Sequence, residues 1–497
     1  MRNPAAGAYI LHKGEKTYLR RIVTFCCLAL VLAGAPPTFA PTPEVDRALA
    51  SISPDALRGH LSFLASDLLE GRGTPSRGLD IAAEYIAAQF RCAALEPAGD
   101  DGYFQTESMV RAERPGEGFE MRLQKGEHVW AVAQDQVAVV SRQAVDISGV
   151  PVYKARRVAD LPAHGLTGDV LALEAGSHAE VRAIAKAAAA LRPAAFLIVD
   201  ETGNEMHAPA ADVEQEQATF GGTARLVVRA AAAVKVLHAA KSGETTLTVS
   251  IKMPTPVWNP IKVRNVLGLL RGSDPALRGQ YVLLTAHYDH LGMESPERIF
   301  HGANDDGSGT VSVIEIGRAL AALRDHRKRS ILFMTFFGEE EGGLGSRYYA
   351  DHPVFPLKAT VADLNLEQLG RTDATEGREV SNASLTGFDY TNVPRTLQEA
   401  GRLTGVNVYK APHGDQYFGL SDNLAFAEHG IPAHTIVVAF GFPDYHAVGD
   451  IWQKIDYGNL AKVDRMIALG TIMLADAPEP PQWNRSNPKV ARFLRVN

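Results

Sequence analysis

Tyr281-Val-Leu-Leu-Thr-Ala-His287-Tyr-Asp289-His-Leu-Gly292 is an apolar run that stops at an imidazole with a carboxylate two residues on. A short run rich in Val and Leu suits a parallel strand covered on both faces. In open α/β sheets the carboxyl ends of such strands hold the ligand site. His287 is then placed to bind a metal through one ring nitrogen, while Asp289 holds the other N–H and fixes the tautomer. An H-x-D taken alone is more often structural than ligating, so the reading depends on what the other strand ends carry.

Working outward, a strand is expected at 266–270, a turn at Gly272-Ser-Asp-Pro275, and an apolar helix over 311–323 after the loop Gly302-Ala-Asn-Asp305-Asp306-Gly-Ser-Gly309. Asp305 sits where that helix begins, beside glycines that allow close approach of backbone and ion, although acids before a helix are also ordinary caps. A second apolar strand, 331–337, ends in Gly338-Glu339-Glu340-Glu341-Gly342. Adjacent carboxylates repel unless a cation or proton is present, and solvated charge runs seldom follow directly on a core strand. A third strand, 361–366, ends in Glu367, and a fourth, 435–439, leads through Gly441-Phe-Pro to Asp444-Tyr-His446. The fold expected is α/β: a mixed, largely parallel twisted sheet with helices on both faces, plus a smaller inserted α/β domain. His287, Asp305, Glu340, Glu367 and His446 then converge on one sheet edge. Two imidazoles and three carboxylates suit a pair of Zn²⁺ ions with one carboxylate bridging. Such paired ions polarise a carbonyl and lower the pKa of a shared water. Glu339, beside Glu340, is placed to move protons.

The remainder of the chain sets the context. Residues 1–40 carry Arg2, Lys13, Lys16, Arg20 and Arg21 ahead of the apolar run 22–33 and small residues around Thr38-Phe39-Ala40, the pattern of a secretory signal peptide. The whole chain of 497 residues has net charge −7; without the first forty, which hold five basic side chains and one acidic, the balance is −11. Nucleic acid is thereby disfavoured as a partner. No other stretch is apolar enough to span a bilayer, so an exported protein, periplasmic or secreted, with no stable membrane insertion is expected. Cys26 and Cys27 leave with the signal, and Cys92 reads as a small core residue. Residues 41–105 open a folded unit: Ser53-Pro54 caps a helix with Leu57, Leu61 and Leu64 on one face. A second helix follows Glu70-Gly-Arg-Gly-Thr-Pro, with Ile81, Tyr85, Ala88 and Cys92 expected inward. Residues 106–255 are alanine-rich, with a turn and strand over 166–173, a Ser177-x-x-Glu180 capping box and a strand at 195–199. They read as an insert closed by Asn259-Pro260, serving either as a lid or as structure alone. The unit 256–475 carries the chemistry, and 476–497 is a tail.

Ala286-His-Tyr-Asp-His-Leu-Gly292, Gly302-Ala-Asn-Asp-Asp-Gly-Ser-Gly309, Phe337-Gly-Glu-Glu-Glu-Gly-Gly-Leu-Gly-Ser346 and Pro443-Asp-Tyr-His446 together resemble metallopeptidase family 28 of clan MH, the co-catalytic zinc aminopeptidases. Leu64-Ala-Ser-Asp-Leu-Leu-Glu-Gly-Arg72 resembles the lead-in of larger exported members, which carry an inserted protease-associated domain. The resemblance implies His287 and Glu367 on one zinc, Glu340 and His446 on the other, Asp305 bridging, Glu339 as general base and Asp289 orienting His287. It implies a cis peptide at Asp305-Asp306 and hydrolysis of the amino-terminal bond of peptides with a free amino terminus. Two positions depart from the family pattern: Glu367 replaces a frequent aspartate, and Asn423 in Ser421-Asp-Asn423 replaces a frequent histidine. Met293, Tyr417, Phe440 and Phe442 lie near the motif loops and are candidates for an apolar substrate pocket, or for core. His290, His301, His413, His429 and His434 read as surface or hydrogen-bonded loop histidines, or as groups supporting the ligand residues. Carboxypeptidases, single-zinc glutaminyl cyclases and a non-catalytic binding ectodomain are the alternatives, and the oligomeric state is left open.

Overall fold

Tyr281–His287 is strand β1, buried at every position. Three further strands lie beside it in the same direction: β2 (Ser330–Phe336), β3 (Thr360–Leu366) and β4 (Ala433–Val437), all fully buried. Their order is β2-β1-β3-β4, parallel throughout. The computed structural model describes residues 39–112, 118–140, 144–174, 178–199, 223–255, 258–323 and 327–494. Nearly all of the expected signal segment, together with Ser177 of the expected capping box, lies outside these. Glu44–Asn497 forms one compact unit.

The chain leaves β1 for β2 on one side and then places β3 on the other. That reversal opens a crevice at the carboxyl end of β1, where α/β sheets bind ligands. Antiparallel strands flank the parallel core, Trp258–Leu270 against β2 and Asn382–Leu385 against β4. Asn259 and Pro260, expected to close the insert, lie instead inside Trp258–Leu270, paired with Phe104–Ala112. Pro260 is tolerated there because that pair lies at the sheet margin.

Helix α1 (Pro54–Leu64) has Pro54 at its start, and the Ser53 hydroxyl accepts from Ala56 N; Leu57, Leu61 and Leu64 are buried. Helix α2 (Arg77–Cys92) buries Leu79, Ala82, Ala83, Ile86, Ala87 and Phe90. The expected stripe of Ile81, Tyr85, Ala88 and Cys92 is therefore off by one position, and Cys92 is exposed. Half of the true stripe is alanine, which lets the helix lie close to the strand behind it, and apolarity alone did not distinguish the two faces. Helix α3 (Gly309–Ala321) crosses from β1 to β2 and is almost wholly buried; helix α4 (Tyr457–Asp476) packs beside it. A second sheet of eight strands runs from Glu120 to Met253 around its own apolar core, including Leu123, Val152, Leu197, Leu226 and Ile251. No helix among the described residues is long and apolar enough to cross a membrane.

Candidate metal centre

β1 ends at His287, whose carbonyl accepts from Thr310 Oγ1 at 2.6 Å in the first turn of α3. The loop before α3 is held from below: both Asp450 oxygens accept from Asn304 N, at 3.0 and 2.9 Å, and one accepts from Asp305 N at 3.1 Å. The Asp305–Asp306 peptide is cis. Gly309 has no room for a side chain: a Cβ would lie 2.4 Å from both Asp306 Oδ2 and the Leu366 carbonyl. This contact binds the Asp305 loop to the end of β3, where Glu367 emerges. Gln368 after it and His446 both have φ near +50°, so each ligand loop bends sharply at the mouth.

These loops bring five expected residues together. Asp305 Oδ1 lies 3.5 Å from His287 Nε2, and its Oδ2 lies 3.1 Å from His446 Nε2. His446 Nε2 is also 3.2 Å from Glu340 Oε2. Ligand atoms of His287, Asp305 and Glu367 form one group compact enough for an ion, and those of His290, Asp305 and Glu340 form another. Asp305 belongs to both, the position of a bridge. Asp289 stands behind His287, with Oδ1 3.5 Å from Nδ1, and accepts from Glu339 N at 3.1 Å. Glu339 Oε2 is 3.9 Å from His287 Nε2, at the opening of the same group.

The electrostatics are those of a cation site. Burial alone would strip His287 of its proton, yet hydrogen bonds to Asp289 and Asp305 hold its pKa well above the usual value. Burial likewise opposes charge on His446, but Asp305 and Glu340 lift it to about 10. Burial would raise Asp305 too, and the His287 and His446 hydrogen bonds instead pull it far below the carboxylate range. Glu339 is driven well up by burial, against His287 and together with the Glu367 and Glu340 charges; burial moves Glu367 up to about 7. In addition, His290 Nε2 is buried without a hydrogen-bond partner. Buried acids and imidazoles that satisfy one another only through protons fit a site completed by metal ions.

Of the two readings open for His290, a loop histidine or a group supporting the ligand residues, the structure favours the second, for its side chain is fully buried with Nδ1 2.6 Å from Glu340 Oε1. Its position three residues after His287 was the available signal, obscured because loop spacing does not fix direction. Tyr445 was missed: its ring stacks on His446 at 4.0 Å. Among the other histidines, His301 pairs with Asp67, His429 bonds the Ala425 carbonyl, and His434 is buried between Thr386 O and Thr391 Oγ1; His413 is exposed. Met293 is partly exposed, Tyr417 and Phe440 stack at 4.8 Å, and Phe442 is buried under the Arg371 guanidinium. Phe442 therefore anchors the His446 loop, which Arg371 also grips through Asp444 at 2.9 Å. Asn423, where the resemblance leads one to expect histidine, donates to Phe418 O and accepts from Thr435 Oγ1 at 2.8 Å, inside the core.

Two groups of side chains able to hold a metal ion thus share Asp305 at the carboxyl edge of the parallel core. The sequence pattern of peptidase family M28 matches residues 265–471. Aminopeptidase YwaD of Bacillus subtilis is 28% identical over 212 residues, 41% of this chain and 43% of that protein. A probable zinc metalloprotease of Leptosphaeria maculans is 24% identical over 261 residues, 45% of this chain and 60% of that protein. The chain thus spans about half the length of the curated relatives it matches. Among solved structures, an aminopeptidase from Aneurinibacillus sp. strain AM-1 superposes with a TM-score of 0.61 at 20% identity, covering 88% of this chain and 97% of that one. A zinc aminopeptidase from Bacillus subtilis gives 0.54 at 19%, covering 86% and 97%. These two likenesses establish the fold.

Proposed function

We propose that this chain is an exported, zinc-dependent aminopeptidase that hydrolyses the amino-terminal bond of peptides. The observation that carries the reading is Asp305 shared between two imidazole-carboxylate groups at the carboxyl end of β1. Relatives named aminopeptidase and zinc metalloprotease support it. In this reading His287 and Glu367 would hold one zinc, and Glu340 and His446 the other, with Asp305 between them. When bound, the pair of ions would supply Lewis acidity toward the scissile carbonyl and a water of lowered pKa. Glu339, at the open side of the His287 group, takes a proton from the attacking water and delivers it to the leaving amine. Asp289 fixes the ring of His287 from behind and holds Glu339 by its backbone N–H. The surplus of buried carboxylates favours a substrate with a protonated α-amino group. The sheet from Glu120 to Met253 is assigned as the protease-associated-like insert, and residues 1–40 as the export signal.

The test is chromophore release from leucine p-nitroanilide by the zinc-loaded protein, set against the same compound with its amino group acetylated. Cleavage of the free amine alone is expected. Turnover of neither would move the assignment to a carboxypeptidase or cyclase, between which zinc stoichiometry decides.

A further inference from the structure

Arg72 lies outside the segment that matches the family, and its side chain is almost completely buried, at 1% exposure. Its guanidinium donates to four carbonyls: Nε to Tyr288 at 2.7 Å, Nη1 to Leu64 at 2.6 Å and to His301 at 2.7 Å, and Nη2 to Gly302 at 2.9 Å. Tyr288 belongs to the loop that follows His287, and His301 and Gly302 to the loop that leads into Asp305. One rigid planar fork therefore spans both metal-bearing loops.

The same segment adds contacts on either side. Arg72 O accepts from His290 N at 3.3 Å, and Thr74 Oγ1 donates to Asp289 Oδ2 at 3.2 Å. Gly71 has φ of +70°, and a Cβ there would sit 2.2 Å from Gly292 O and 2.4 Å from Phe300 O. The turn thus presses its backbone against both ends of the β-ribbon 292–300. Arg72 also supplies a fixed positive charge facing Asp289, Asp450, Asp306 and Asp305; burial lowers its pKa to about 10, which leaves it charged at neutral pH.

We propose that Arg72 is a positioning residue of the metal centre: its guanidinium locks the His287 and Asp305 loops in one register, so the amino-terminal segment is part of the site. The inference rests on the metal-centre reading above. A packing role alone would lower stability and leave the metal geometry untouched, and this separates the two accounts.

The experiment strips the full-length protein with a chelator and reloads it with zinc or cobalt(II), alongside Arg72→Lys and Leu69→Ala. Leu69 is buried in the same turn, so its truncation controls for lost packing. Wild type that takes up no metal would overturn the metal-centre reading and this inference with it. With wild type loaded, Arg72→Lys is expected to weaken zinc binding about 10- to 100-fold, as for other groups that orient ligands, and to shift the cobalt visible bands. Leu69→Ala is expected to lower Tm with the bands unmoved. Unchanged affinity and bands in Arg72→Lys would overturn the inference, as would equal shifts in both variants. Should Arg72→Lys not fold, hydrogen exchange on wild type decides. Zinc is expected to slow exchange over 68–74 together with 288–290 and 302–305, because coupling between sites is reciprocal. Protection confined to the two loops would overturn it.

Discussion

Glu339 is set apart from its neighbour Glu340 by where it points. Glu340 is engaged by His290 and His446, whereas Glu339 approaches His287, at 3.9 Å. Glu339→Gln is therefore expected to retain both metals and lose about 10²- to 10⁴-fold in kcat, measured by turnover and metal content on the same preparation. Equal activity would remove its assignment as base. His434 gives a separate pH signature. Burial pushes its pKa down to about 4, and its two nitrogens are occupied by Thr386 O and Thr391 Oγ1. A histidine whose folded pKa is below its unfolded value binds protons more readily when unfolded. It costs nothing above about pH 6.5 and progressively more down to pH 4, roughly 3 kcal/mol in all. Urea unfolding of metal-free protein at pH 7 and 4.5 should show a smaller loss for His434→Gln than for wild type.

Helices and strands contribute through close backbone approach as much as through side chains. Gly78 in α2 lies so close to the turn carrying Arg72 that a Cβ would fall 1.8 Å from Leu69 O. Gly78→Ala forces the turn and helix apart, which is expected to cost about 1–3 kcal/mol, the range for overpacking. Because the displaced turn also carries Arg72, zinc affinity should fall with it. Thermal unfolding together with chelator competition checks both, and a stability loss with intact affinity would mean that the turn moves without its arginine. The β1 switch point acts at the same level. Parallel neighbours on both sides keep β1 largely apolar, with the Thr285 hydroxyl bonded to Asp363, so its first metal-competent side chain, His287, appears at its carboxyl end, where the crevice is.

Across the fold, Asp305, Asp306, Glu339, Glu340 and Glu367 gather at one sheet edge, and in metal-free protein protons on His287 and His446 offset part of their repulsion. Metal binding must displace those protons. Zinc should therefore bind more tightly as pH rises from 6 to 8, and the Tm gained on adding zinc should be larger at pH 8. Calorimetry in buffers of different ionisation enthalpy should register proton release. A Tm gain independent of pH would mean that the imidazoles are already deprotonated. At a hundredfold excess over Kd the linkage contributes about 2.7 kcal/mol.

The order of apolar runs and the polar motifs in the loops after them made the sheet type legible from sequence, together with five residues, His287, Asp305, Glu340, Glu367 and His446, that the structure brings close together. Strand polarity is strongly patterned: burial pushes the one carboxyl inside β3, Asp363, toward its uncharged form, whereas the side chains that face a cation emerge at the mouth. The inward stripe of α2, the burial of His290, the stacking of Tyr445 on His446 and the span of Arg72 across two loops were decided only by the tertiary structure. Alanine and glycine carry little polarity signal on a helix face, so which side packs depends on the partner. Loop residues separated by more than two hundred positions, such as Arg72 and Gly302, have no local periodicity linking them; only the packed chain brings a guanidinium to those carbonyls.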